Sequence, residues 1–163
     1  MARITASAED IRGADARLLI EELTAELAAL YQVSDGSAGF RPEDALQPRS
    51  AFVVARIDGV PAGCGALRPW DEHTAEIKRV YTRPEYRRHG VGIAVLAELE
   101  RLAAEAFAYR SVQLQTGPLQ PEAAALYERI GYERIPRYSG DWDQILAYRK
   151  RLIPGKFGEG ERG

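Results

Sequence analysis

The residues with the plainest chemical potential lie in one run, Arg79-Val-Tyr-Thr-Arg-Pro-Glu-Tyr-Arg-Arg-His-Gly-Val-Gly-Ile93. An expected strand ends here and a long expected helix opens, with Gly90 and Gly92 one residue apart at the junction. The first amides of a helix lack intrahelical acceptors and carry the positive end of its dipole, so they hold phosphate. Glycine lets a ligand come close to such a backbone. Arg87, Arg88 and His89 add positive charge just upstream. The spacing is not a P-loop, which needs Lys followed by Ser or Thr. Nor is it a dinucleotide fingerprint, because Val95 stands where the third small residue belongs. On spacing alone the turn is either a phosphate cradle or a flexible helix start with a solvated arginine pair.

The elements around that turn follow from periodicity. Ile4-Thr5-Ala6 reads as a short strand, and Asp15 to Tyr31 as an amphipathic helix with Leu19, Leu23, Leu27 and Leu30 on one stripe. After a Gly/Ser loop and one helical turn at Arg41 to Leu46, Ala51 to Ile57 and Val60 to Leu67 form a hairpin through Asp58-Gly59. Gly63 and Gly65 weaken the return strand or let something approach it closely. Ala75 to Thr82 is a strand, Gly90 to Tyr109 a helix and Ser111 to Thr116 a strand. Pro121 to Ile130 is a helix closed by Gly131. Tyr132 to Ile135 and Gln144 to Leu152 supply two more strands. The expected class is α/β or α+β: a mixed, partly parallel sheet of six to seven strands with helices on both faces. Oligomeric state is not legible, although Gln144 to Leu152 reads as an apolar edge strand that could pair with a second copy in a homodimer.

Composition sets the outer limits. The 163 residues suit one domain, expected over residues 1–152, followed by a disordered tail rich in Gly, Glu, Lys and Arg. Lys and Arg number 22 against 24 Asp and Glu, which argues against nucleic acid as the main partner. The alternative of a basic patch at Lys78, Arg79, Arg83, Arg87, Arg88 and His89 lacks interleaved aromatics on one strand face. One cysteine, Cys64, and two histidines, His73 and His89, exclude an internal disulfide and make a metal site improbable. The first residues carry no apolar core, and Gly90 to Ala108 is broken by Glu98, Glu100, Arg101 and Glu105. A cytoplasmic protein without leader or membrane span is expected.

Arg87-Arg88-His89-Gly90-Val91-Gly92 resembles the Arg/Gln-x-x-Gly-x-Gly/Ala loop of the GNAT superfamily of acetyl-CoA-dependent N-acetyltransferases. Val80 to Tyr86 looks like that family's strand end and Pro-containing lead-in. Ala124-Ala125-Leu126-Tyr127-Glu128-Arg129-Ile130-Gly131-Tyr132 looks like its later helix and turn. The resemblance spans roughly residues 50–152. It implies that Arg87, Arg88, His89, Gly90, Val91, Gly92 and Ile93 hold the pyrophosphate of coenzyme A. It also implies that Val80, Tyr81 and Thr82 bond to the pantetheine arm, and that a bulge splays this strand from its neighbour.

Acetyl transfer to nitrogen needs a group that takes a proton from the amine, a donor for charge on the thioester oxygen, and a proton or hydrogen bond for the leaving thiolate. Tyr127 matches the family's tyrosine near the sulfur; its helical spacing with Ala123, Leu126 and Ile130 equally suits core packing. Glu76 lies where members often carry an acid. By alternation it shares a face with Lys78 and Val80, as a base or as a solvated pair with Lys78. Asp71, Glu72 and His73 are weaker candidates, and Cys64 between two glycines reads as core filler. The resemblance implies direct transfer in a ternary complex. It places acceptor choice among Tyr31, Asp35, Phe40, Tyr138, Asp141, Trp142 and Asp143, where rings beside carboxylates suit a cationic small-molecule amine. Peptide or protein amino groups, or a coenzyme A-binding module without catalysis, are the alternatives.

Overall fold

The computed structural model describes residues 2–37 and 39–153; the expected tail from Pro154 onward lies outside the described residues. The chain runs β1 (Ile4–Glu9), α1 (Ala14–Tyr31), β2 (Ala51–Ile57), β3 (Val60–Pro69), β4 (Thr74–Thr82) and α2 (Val91–Arg101). It continues through β5 (Ser111–Thr116), α3 (Pro121–Arg129), β6 (Glu133–Ile135) and β7 (Leu146–Arg151). β2 shows why the sheet is covered on both sides. Val53 and Ala55 enter a core with Val95 and Leu99 of α2, while Phe52 and Val54 enter a second core with Leu19 and Leu23 of α1. All four β2 residues are fully buried, the pattern of a strand between two layers.

The seven strands lie in the order β1-β2-β3-β4-β5-β7-β6, antiparallel except for the parallel pair β4–β5. The Asp58-Gly59 hairpin forms as expected, with φ of 50° and 85° that fit a type I′ turn. The strand from Gln144 is not an edge. β7 bonds to β5 on one side and to β6 on the other, so the edges are β1 and the three-residue β6. Chain order hid this, because β7 inserts between two strands that precede it. The long helix also ends early. α2 widens into a π turn over Leu102–Ala106, closed by a bond from the Phe107 amide to the Leu102 carbonyl, and Ala108 reverses the chain at φ 58°. That turn lets Tyr109 sink to 3% exposure, with the Arg49 guanidinium 3.9 Å over its ring.

Candidate active site

The site begins where the parallel ladder stops. β4 pairs with β5 only through Thr74–Ser111, Ala75–Val112 and Glu76–Gln113, after which Ile77 to Thr82 has no partner strand on that side. On the other side, β4 meets β3 through a bulge: Cys64 faces Tyr81 and Ala66 faces Lys78, so Arg79 and Val80 together oppose Gly65. Arg79 adopts φ 60°, a conformation that costs a non-glycine residue about 1–3 kcal/mol. The bulge turns the last part of β4 away from β5, opening a cleft whose wall is an unpaired strand edge.

The bulge also corrects one expectation. Val80 does not share a face with Glu76 and Lys78; it packs with Val91 and Val95 on the α2 side, because the extra residue reverses the alternation. The close approach expected at Gly63 and Gly65 is that of α2. A Cβ on Gly63 would stand 2.6 Å from both the Tyr81 carbonyl oxygen and Val91 Cγ1, and one on Gly65 2.8 Å from Val95 and Leu99.

Beyond the strand edge comes the glycine turn. Gly90 precedes the helix at φ 87° and no side chain caps the helix start, so the amides of Val91, Gly92 and Ile93 keep the orphan donors of a first turn. A Cβ on Gly92 would lie 3.1 Å from Leu126 Cδ2, which sets α3 directly beside the turn. His89 and Arg88 are exposed, and Arg88 makes no hydrogen bond or ion pair among the described residues. Arg87 is engaged. Its Nε donates to the Thr82 carbonyl at 3.0 Å and its Nη2 to Glu26 of α1 at 2.8 Å. Arg83 likewise clasps Glu22, which also accepts the Tyr81 hydroxyl at 3.2 Å. Burial pushes the Tyr81 phenol up to about 12, and the Glu22 charge adds to it. The turn and strand edge fit an extended, amide-bearing ligand ending in phosphates, since both present unpaired backbone groups in one line.

Glu76 sits at the vertex of the cleft, 2% exposed. It is therefore not half of a solvated Glu76–Lys78 pair. Its Oε1 accepts Arg68 Nε at 2.9 Å, and its Oε2 accepts the Tyr138 hydroxyl at 2.8 Å. Arg68 also donates to Asp44 at 2.7 Å, so one guanidinium neutralises two carboxylates. Burial and the Glu76 charge hold the Tyr138 phenol far above its usual range. Arg68 and Tyr138 as partners of Glu76, and Asp44 as the second carboxylate on Arg68, were missed from sequence. Only the cross-strand register Arg68–Glu76 carried a local signal, through strand pairing.

Tyr127 is 6% exposed, its ring tilted against Tyr132 and Tyr148 at 5.7 and 5.9 Å. Its hydroxyl makes no hydrogen bond among the described residues, and burial holds the phenol well above its ordinary value. The ring thus packs as the core reading expects, and its hydroxyl has no partner among the described residues. Asp71 closes the turn before β4 by accepting the His73 and Thr74 amides, while His73 is half-exposed. Cys64 is fully buried, and its thiol is pushed up by desolvation, as core filler should be.

On the α1 face, Tyr31 donates to Gln120 at 2.9 Å and meets Trp142 edge-on at 5.7 Å, joining the end of α1 to the β5–α3 and β6–β7 connections. Trp70 meets Tyr138 the same way at 4.8 Å. A hollow of about 260 Å³ opens along α1 and its following loop, with Ile20, Thr24, Phe40 and Arg79 in its wall. Among the described residues no cluster of His, Cys, Asp or Glu suits a metal ion, and no helix is long and apolar enough to cross a membrane.

Known proteins resemble this chain in sequence and fold. Residues 17–132 match the model of the Acetyltransferase (GNAT) family. An IAA acetyltransferase of Azospirillum brasilense is 32% identical over 115 residues, 70% of this chain and 74% of that protein. A solved acyl-CoA N-acyltransferase of Klebsiella pneumoniae aligns with TM-score 0.72 and 27% identity, covering 92% of this chain and 98% of that one. A GNAT family acetyltransferase of Elizabethkingia anophelis, solved with acetyl-CoA bound, shares the fold at TM-score 0.64 and 18% identity, over 91% and 98%. With its split strand pair and uncapped glycine turn, the chain belongs to the acetyltransferase (GNAT) family and is an acetyl-CoA-dependent N-acetyltransferase.

Proposed function

We propose that this enzyme acetylates a primary amine of a small molecule by direct transfer, with both substrates bound in the β4–β5 cleft. The observation that carries the reading is continuity: an unpaired strand edge from Ile77 to Thr82 leads to the uncapped amides at Gly90. Backbone groups of Val80, Tyr81 and Thr82 hold the pantetheine arm. Arg87, Arg88, His89 and the amides of Gly90, Val91, Gly92 and Ile93 hold the pyrophosphate. Acetyl-CoA supplies an activated acetyl thioester when bound there.

The protein's own groups manage the protons. An alkyl amine with a pKa near 10 is mostly protonated at neutral pH and must lose a proton to react. Glu76 takes it through the Tyr138 hydroxyl: the phenol oxygen accepts from the amine as its own proton passes to Oε2, 2.8 Å away. Tyr127 is kept protonated by burial, and its unpartnered hydroxyl donates to the leaving sulfur. No acyl-enzyme is invoked, because Cys64 lies buried as a neutral thiol.

Thiol release from acetyl-CoA, measured across a panel of small amines and short peptides, tests the reading. It expects release with particular small amines. Release only with peptides would move the acceptor to protein amino groups, and acetyl-CoA binding without release would leave a cofactor-binding module.

A further inference from the structure

Most carboxylates on the acceptor side of the cleft already have partners. Glu76 is engaged by Arg68 and Tyr138, and Asp44 by Arg68 and the Arg41 amide. Asp35 accepts the Ser37 amide and hydroxyl. Asp143, which sequence grouped with the acceptor region, turns its side chain to solvent at 95% exposure and meets Arg137.

Lys78 stands apart from these pairs. It lies two residues along β4 from Glu76 on the same face, ahead of the bulge, with Nζ beneath the loop at Gly39. It is partly buried, yet it makes no hydrogen bond or ion pair among the described residues, and desolvation pulls its pKa down. Across the ladder from Glu76, Gln113 is fully buried. Its Oε1 is held by Arg149 at 2.6 Å, and its Nε2 has no partner among the described residues. A partly desolvated ammonium without a direct ion pair is a site that an anion can pair with, and the nearby Glu76 and Asp44 charges favour its charged form.

We infer that the acceptor is an amine whose carbon frame also carries a carboxylate, an amino acid in the broad sense, and that Lys78 binds that carboxylate. The inference rests on the transferase reading and narrows its substrate class. It reverses the cationic acceptor suggested by rings and acidic residues in the sequence. With the carboxylate on Lys78, the amine falls toward Tyr138 and Glu76, because those residues share the face. Lys78 therefore sets specificity and takes no part in proton transfer.

The test compares a panel of free L-amino acids with their matching amides. Thiol release is followed in the wild type, Lys78→Met and Lys78→Arg, and binding to the enzyme–coenzyme A complex is followed by calorimetry. The amides have the more easily deprotonated amines, so a preference for the acids runs against intrinsic reactivity. The expected result is a wild-type preference for acids of about ten- to hundredfold in kcat/KM, carried by KM. Lys78→Met should abolish it and Lys78→Arg should retain it. Lys78 gives up no ion pair, so the Met variant is expected to fold. Equal use of acids and amides, or a preference that survives Lys78→Met, overturns the inference and leaves the transferase standing, since thiol is still released. Failure of the wild type to bind acetyl-CoA overturns both.

Discussion

In the proposed transfer two side chains divide the proton chemistry, and each carries a distinct expectation. Tyr127→Phe removes only a hydroxyl without a partner among the described residues, so the core around Tyr132 and Tyr148 should hold. Turnover should fall by about 10²-fold while the acetyl-CoA Kd stays unchanged, read by thiol release beside calorimetry. Unchanged turnover would make Tyr127 a packing residue. Glu76→Gln behaves differently, because it also leaves Arg68 with one carboxylate instead of two. Both kcat and stability should drop, the latter by about 1–3 kcal/mol in urea unfolding. Sequence made Tyr127 and Glu76 visible through their positions. Burial of Glu76 was not visible, because Tyr138, its hydroxyl partner, lies 62 positions away in sequence. Lys78 looked like the natural partner of Glu76, and the guanidinium across the strand took that place instead.

Among the elements, the hairpin, the β2 strand and the β5 strand stand where periodicity and turn residues set them, since local rules govern them. The bulge at Arg79 does not follow from a local rule. It lies where β4 pairs with β3 at Gly65, under α2, and in the sequence only the family resemblance pointed to it. Gly63→Ala would drive a Cβ onto backbone at Tyr81, which cannot swing aside, so urea unfolding should show a loss of about 2–3 kcal/mol. A second expectation concerns how α1 meets the glycine turn. Glu26 occupies Arg87 in this structure, and both side chains are about one-third exposed. In the proposed complex a pyrophosphate competes with that carboxylate. Glu26→Gln should tighten acetyl-CoA binding about two- to fivefold by calorimetry, the modest worth of an exposed pair. Weaker binding would mean that Glu26 instead holds Arg87 ready for the phosphates.

For the whole molecule, ionisation bounds the range of stability. Arg12 holds Asp10 down to about 2, and Arg56 holds Glu9 below its ordinary 4.5. Both are acids whose charged forms the fold favours, so their contribution is complete above about pH 4.5 and lost as pH falls toward 2. Tyr81 works at the other end. Its phenol rises from 10 to about 12, so its contribution is complete below pH 10 and lost as pH climbs to 12. Urea midpoints should fall as pH drops below about 4.5 and again as it climbs above about 10; a midpoint that rises below pH 4 would contradict the assignment. At this scale the sequence showed a mixed sheet with helices on both faces, and chain order misplaced one strand because β7 threads between β5 and β6. In the proposed complex the turn at Gly90 and Gly92 binds the phosphates of acetyl-CoA. Calorimetric titration with acetyl-CoA, with NAD as control, should show binding near 1–10 μM for the wild type, a ΔG of roughly −7 to −8 kcal/mol. The same titration should show none for a folded variant with valine at both glycines. Equal binding by that variant, or equal binding of NAD by the wild type, would contradict this role of the turn.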